Sequence, residues 1–262
     1  MVDQGGGAVE GVVGRHAHLG MRLLRCDGRG IAKGTNQGLR EAASTHVLVT
    51  HDDCTVPPDW VGVAAHHAGA TPDAIVTGRV LPGGDPAAVP STKTDSVAYD
   101  FTGSPSYGVL YPANMVVPRA GVLEIGGFDE RRSLRVAAED NDLCYRWLTG
   151  GRPMRFEPQL VVTHHDWRTP DELERLYLAY GRGQGAFYAK HLLRGDRRIP
   201  RLIAHDLGLG LRSLAGALRH GTPRWADERR GLLRGIPAGL MTGFRDEWAI
   251  RSQRRRAPAR GR

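Results

Sequence analysis

Four short clusters carry this chain's capacity for chemistry. His51-Asp52-Asp53 follows the apolar run THVLVT at 45–50. Carboxylates at the carboxyl end of a strand can hold a divalent cation bound to phosphate oxygens, although a polar turn capped by Asp is the simpler role. Glu139-Asp140-Asn141-Asp142 sets three carboxylates in four positions at a helix start. One can face inward as a general base, and helix stabilisation by itself accounts for the others. His164-His165-Asp166 follows another strand, where neutral imidazole is a transition-metal ligand or a hydrogen-bonded structural group. Gly126-Gly127-Phe128-Asp129 is a tight turn with an aromatic anchor, and says only that the backbone needs glycine there.

The elements that must position these clusters alternate along the chain. Residues 21–25 and 45–50 read as strands around a helix in GTNQGLREAAS, and HDDCTVPPDW ends regular structure before a helix in VGVAAHHAGA. A strand at 74–81 leads into a Pro/Gly/Ala loop to about residue 92, and the charge-free run from Phe101 to Pro118 reads as loop and short strand. A helix at 138–151 and strand structure at 152–165 complete an α/β domain with a largely parallel sheet. From Pro170 onward three segments carry apolar and Arg-bearing faces and read as amphipathic surface helices. The last residues, RSQRRRAPARGR, read as a disordered basic tail.

Charge divides the 262 residues in the same place. Residues 1–193 hold 19 basic and 22 acidic side chains, whereas residues 194–262 hold 17 basic and 6 acidic. A slightly acidic body argues against a nucleic-acid coat, and the basic end points to phosphates or anionic lipid. Thirty-five glycines, about 13% against a usual ~7%, imply many turns and close backbone approaches. Three scattered cysteines suggest neither a disulfide framework nor a thiolate zinc site, which fits a reducing cytosol. The first residues do not read as a signal peptide, and no apolar run of about 18 residues is present to span a membrane.

Taken in order, GIAKGTNQG at 30–38, THDDCTVPPDWV, PANMVVPRAGVLEIGGFDE, AAEDNDLCYRWLTGG and VVTHHDWRTPDE resemble the family 2 glycosyltransferases of the GT-A fold, over roughly residues 2–190. The resemblance implies transfer of a sugar, with inversion, from a nucleotide-sugar donor to an acceptor hydroxyl, with Mg2+ or Mn2+ as cofactor. It implies Asp53 as metal ligand, with His164 or its neighbour His165 completing the site, and Asp52 near the donor ribose and phosphate. Asp140 of the Glu139-Asp140 pair becomes the base, Asn36 a donor-site residue, and Gly126, Gly127 and Asp129 the acceptor-side loop.

Two departures stand out. His51 replaces the first Asp of the family's acidic triplet, and imidazole there can still bind a transition metal or a phosphate. Met1-Val2-Asp3 aligns with the end of the family's second strand, so the first strand and helix are expected to be missing, with Asp3 the remaining base-contacting residue. No Gln precedes Arg146-Trp147 at the spacing of processive synthases, which favours transfer of single residues.

The expected organisation is a catalytic domain over 1–193, a basic amphipathic helical region over 194–250 and a tail over 251–262. The expected function lies in assembly of a cell-surface polysaccharide or glycolipid, with a glycan or lipid-linked acceptor, on the cytoplasmic face of an anionic membrane. The alternatives are a catalytically impaired, membrane-docked binding protein and a nucleotidyltransferase; for the latter, Gly5-Gly6-Gly7 without a following Lys is a poor phosphate loop.

Overall fold

The structure is a computed structural model and describes residues 1–5, 9–84, 89–101, 111–135, 137–165, 168–221 and 223–256. Most of the expected loop between Phe101 and Pro118, the pair Asp166-Trp167 and the extreme C-terminal residues lie outside them.

The chain divides into two compact units. The first is formed by Met1–Gly103, Leu110–Glu130 and Leu143–Asp166. Its order is β1 (Val2–Asp3), α1 (Glu10–Arg15), β2 (Leu24–Arg25), α2 (Ile31–Glu41), β3 (His46–Val49), β4 (Cys54–Thr55), α3 (Trp60–Ala70), β5 (Ile75–Pro82), β6 (Tyr99–Asp100), β7 (Met115–Pro118), α4 (Arg119–Glu124), then α5 (Glu139–Thr149), and β8 (Met154–His164). β1 and β2 form a parallel pair, and the main sheet runs β3-β7-β5-β8-β4 with β6 also on β8.

The α/β class and the expected strands and helices are present, but the sheet is mixed. In the main sheet only β5 and β8 run parallel, and β7 lies antiparallel to both β3 and β5. A parallel partner requires a crossover, usually a helix, whereas β7 follows the connection after β6, where the sequence sets no such constraint.

The core sits between α3 and this sheet. Trp60, Ala64 and Ala68, one turn apart along α3, pack on Val76, Val80, Val116, Leu160 and Val162. Each fully buried branched side chain contributes about 1.5–3 kcal/mol. A bulge interrupts the β5–β8 register after Gly78. There the buried Asn114 donates to the carbonyls of Arg79 and Leu160 at 2.8 and 2.9 Å, and accepts from the Trp60 indole at 3.1 Å. A Cβ on Gly78 would stand 2.0 Å from the Leu160 carbonyl, so only glycine fits beneath the bulge.

The second unit is mainly Arg131–Asp142 and Trp167–Arg262. It contains α6 (Pro170–Leu193), α7 (Ile199–Arg219) and α8 (Pro223–Arg256). Thr169 starts α6 with a capping box to Glu172. Glycine makes the close packing possible: Gly181 and Gly185 on α6 lie against Gly235 and Gly239 on α8, Gly231 and Gly243 on α8 lie against Tyr177 and Ala186 on α6, and a Cβ at Gly239 would reach to 2.0 Å of the Arg182 carbonyl. Small residues at four-residue spacing let two helix backbones touch.

Two expectations shift here. α6, assigned by charge to the body, packs along α8, and its Gln184–His191 stretch is buried rather than amphipathic. α8 continues to Arg256, into the stretch expected to be a tail. Among the described residues no helix is long and apolar enough to cross a membrane.

Candidate functional site

In the first unit, pairing of β4 with β8 sets Cys54 opposite His164 and so brings Asp53 beside that imidazole. His164 is the last, inward residue of β8; strand alternation turns His165 outward, where it meets the Thr55 hydroxyl at 2.9 Å. The His165 amide also donates to the Asp53 carbonyl at 2.8 Å. His164 Nδ1 lies 3.2 Å from the Pro90 carbonyl, and a carbonyl only accepts, so Nδ1 carries the proton. Nε2 faces Asp53 Oδ2 at 3.3 Å, as a donor when the ring carries a second proton and as a lone pair when it does not. Two acceptors at that distance call for a cation, or a second proton on the ring, between them.

His51 is the third group of this cluster. Its Nε2 is buried without a hydrogen-bond partner among the described residues. Burial holds its pKa below the usual imidazole value, against the opposing pull of Asp53. For Asp53, burial acts upward, but the His164 hydrogen bond and the two imidazoles outweigh it and keep the carboxyl below the ordinary range. Cys54 is not a thiolate: burial and the Asp53 charge push its thiol up to about 11. Asp52 is exposed on the turn. Among the described residues no three His, Cys, Asp or Glu side chains converge closely enough to form a metal centre.

The other first-unit residues are held by the backbone. Asp3 is buried and accepts from the Gly5 amide at 2.7 Å and from Arg25 at 3.3 Å. Asn36, buried on α2, donates to the Phe128 carbonyl and to Glu130, and accepts from the Phe128 amide, each at 2.8 Å. It thus braces the Gly126-Gly127 turn, whose glycines have φ values of 91° and 66°. A Cβ on Gly127 would stand 2.5 Å from the Asn36 Oδ1. Arg146 of α5 closes the turn from its other side, donating to the carbonyls of Ile125 and Gly127 at 2.7 and 2.6 Å. Asp129 follows, half-buried.

The acid pair belongs to the second unit and opens α5. Glu139 is 3% exposed, and its Oε2 has no hydrogen-bond partner among the described residues. Burial, reinforced by the neighbouring Asp140 charge, raises its pKa well above the carboxylate range. Asp140 is partly open, accepts from the Asn141 amide at 2.7 Å, and is also raised by loss of hydration. Such a pair holds a proton near neutrality, the condition for general acid–base work. Ala138, immediately before it, has φ 72°, a left-handed conformation disfavoured for a residue with a Cβ.

Several structural partners escaped the sequence reading: Asn114, Arg146, Gln184, Lys190 and His191. Asn114 lies inside a quoted motif, but only the bulge reveals its role. A cavity of about 450 Å³ lined by Thr71, Asp100, Phe101 and Met154 lies at the amino ends of β5 and β8, away from His164.

Comparison with known proteins agrees with this architecture. Residues 11–112 match the model of glycosyl transferase family 2. Over 165 residues the chain is 28% identical to the pre-mycofactocin glycosyltransferase of Mycobacterium tuberculosis, covering 60% of this chain and 34% of that protein. The chain therefore spans about a third of the length of the curated relatives it matches. Among solved structures, a Pyrobaculum calidifontis mannosyltransferase in complex with GDP-Man and Mn2+ superposes with TM-score 0.60 at 18% identity, over 92% of this chain and 77% of that one. S. aureus TarS 1–349 in complex with UDP-GlcNAc gives 0.57 at 15% identity, over 96% and 82%. The mixed sheet and these superpositions give the chain a GT-A fold, and residues 11–112 carry the match to glycosyl transferase family 2.

Proposed function

We propose that the chain is an inverting, metal-dependent glycosyltransferase that moves a single sugar from a nucleotide-sugar donor to an acceptor hydroxyl in assembly of a cell-surface polysaccharide or glycolipid. One observation carries the reading: an acid pair opens α5, with Glu139 buried and one of its carboxyl oxygens unpartnered among the described residues, Asp140 partly open, and both pKa values raised. Asp140 takes the proton of the acceptor hydroxyl as that oxygen bonds to the anomeric carbon. The bond from that carbon to the diphosphate breaks, and the nucleoside diphosphate leaves with the electron pair.

Asp53 and His164 would hold Mg2+ or Mn2+, with His51 drawn in when the ion binds, since the three do not already converge as a metal centre. The facing acceptors of Asp53 and His164 and the orphaned His51 nitrogen suit a cation, and two imidazoles favour Mn2+ over Mg2+. When bound, the ion would neutralise charge on the departing diphosphate. Asp52 and Asp3 are assigned to the donor side. Asn36 is also assigned to the donor side, although its side chain is spent on the Gly126-Gly127 turn, and Gly126, Gly127 and Asp129 are assigned to the acceptor loop. His165 remains the alternative ligand to His164.

The donor's class is tested with GDP-mannose and UDP-GlcNAc, which the two solved relatives bind. Calorimetry should show binding of one of them that strengthens with Mn2+, and proton NMR of the product should show an inverted anomer. A full chain that neither binds nor cleaves either donor would overturn this reading of the donor site, and a retained anomer would overturn inversion.

The C-terminal unit supports docking on the inner face of an anionic membrane. Met241, Phe244 and Trp248 are exposed, Trp248 by 73%, and share one stripe of α8 with exposed Arg234 and Arg245. Flotation on phosphatidylcholine vesicles with and without phosphatidylglycerol tests this. Binding should need the anionic lipid and be lost in a Met241→Ser, Phe244→Ser, Trp248→Ser variant; equal binding by that variant would sink it.

A further inference from the structure

The acid pair sits on a backbone that its own sequence does not favour. Ala138 is left-handed, and a strained residue persists only where its surroundings over-determine it. Here the surroundings come from one face of α6. Gly183 admits the Ala137 carbonyl so closely that a Cβ would lie 2.4 Å from that oxygen. Gln184 accepts from the Asn141 side chain at 3.2 Å, and is itself backed by Asp206, which also accepts from Tyr188 at 2.7 Å. Lys190, 1% exposed, donates to Asp142 Oδ1, which His191 also meets at 2.9 Å.

Buried Lys is rare unless paired, and here it is spent on the residue two positions after Asp140. Phe187 lies against the His191 ring, with centroids 4.8 Å apart, and fixes its orientation. Ala137, Asn141 and Asp142 are therefore engaged by α6, and Ala138 by the α5 turn, since the Asp142 amide donates to the Ala138 carbonyl at 3.0 Å.

We infer that Lys190 and His191, acting through Asp142, are positioning residues that lock the first turn of α5 so that Glu139 and Asp140 are held facing their substrate. This inference rests on the reading of Asp140 as the base. It assigns to α6, a helix that carries none of the proposed site residues, a part in catalysis that Gly183 and Gln184 share. The groups facing Asp142 and the pair are Lys190 and His191 of α6, Gln184 at one remove, and the pair's own carboxyls.

Lys190→Met alone leaves a buried carboxylate unpaired and can simply unfold the chain, so the informative variant is the paired Asp142→Asn, Lys190→Met, which removes both charges together. It is made in the full chain and compared with wild type and Asp140→Asn for nucleoside diphosphate release from GDP-mannose or UDP-GlcNAc with Mn2+. The paired variant should fold, keep its KM within about twofold, lose at least tenfold in kcat, and show a displaced pH profile. Carbon-13 carboxyl NMR of Glu139 and Asp140 reads the same clamp without any donor, and their titration midpoints should move in the paired variant.

Unchanged kcat, pH profile and carboxyl midpoints would overturn the inference while leaving the base assignment standing, provided Asp140→Asn is inactive. Loss of fold in the paired variant would also overturn it, by showing that the cluster supports the fold rather than the pair. Normal turnover by Asp140→Asn would instead remove the base reading itself.

Discussion

The two acidic clusters of this chain are held in opposite ways. In the first unit, His51, Asp52 and Asp53 lie on a turn, and only the pairing of two-residue β4 with the end of β8 brings Asp53 to His164. In the second unit, Glu139 and Asp140 start a helix whose neighbours are engaged by α6, and α6 is in turn packed backbone to backbone on α8. In the proposed roles, a cluster that accepts and releases a cation gains from ligands on short, adjustable elements. A base gains from being fixed, because a proton acceptor misplaced by about 1 Å costs on the order of 100-fold in rate.

That contrast can be broken at several points. The largest effect is expected from Asp140→Asn, which should lower donor turnover by about 10²–10⁴-fold with the circular dichroism unchanged. Near-normal turnover would move the chemistry elsewhere. Lys190→Met should cost about 3–5 kcal/mol in urea unfolding by stranding the Asp142 charge, whereas Asp53→Asn should leave the urea midpoint nearly in place. Equal losses in the two variants would erase the distinction between a fixed and an adjustable cluster.

Asp53→Asn should instead weaken Mn2+ binding in the presence of GDP or UDP by at least about 10–100-fold, the loss typical of even an outer partner of a metal ligand. An unchanged affinity by calorimetry would take the cation away from this turn. In the helical unit, Gly239→Ala drives a methyl into the Arg182 carbonyl and should destabilise by about 1–3 kcal/mol, lowering the melting temperature. A neutral result would mean that α6 and α8 tolerate separation.

The smallest effect is a gain. Burial raises the Glu139 pKa, so the folded state binds more protons than the unfolded one from the ordinary carboxylate value of 4.5 upward, and stability falls as pH rises through the raised value. Glu139→Gln removes that loss. Its unfolding free energy should exceed wild type at pH 8 by on the order of 1 kcal/mol, seen as a higher melting temperature, and the advantage should vanish near pH 4.5. A variant less stable than wild type at both pH values would show that the carboxylate is welcome there.

Much of this was legible in the residues. The strands ending at Val49 and His164 and the helix opening at Glu139 follow from apolar runs, period and acidic N-terminal turns, and the ordered motifs carry the resemblance to family 2 that the match over residues 11–112 repeats. The glycine excess announced close backbone approaches, and the four-residue spacing of Gly231, Gly235, Gly239 and Gly243, which the sequence reading passed over, is the signal that could have located them on α8. What period and charge mishandled was α6, whose Lys190 and His191 look like a solvated face in one dimension.

The sequence by itself determined which residues have chemistry to offer and which local elements present them, because capping, period and strand length act over a few neighbours. Only the tertiary structure decided strand direction, the partner of each carboxylate and the strain at Ala138. Those depend on contacts between residues as far apart as Asp53 and His164, or Asp142 and Lys190, whose meeting no local pattern encodes.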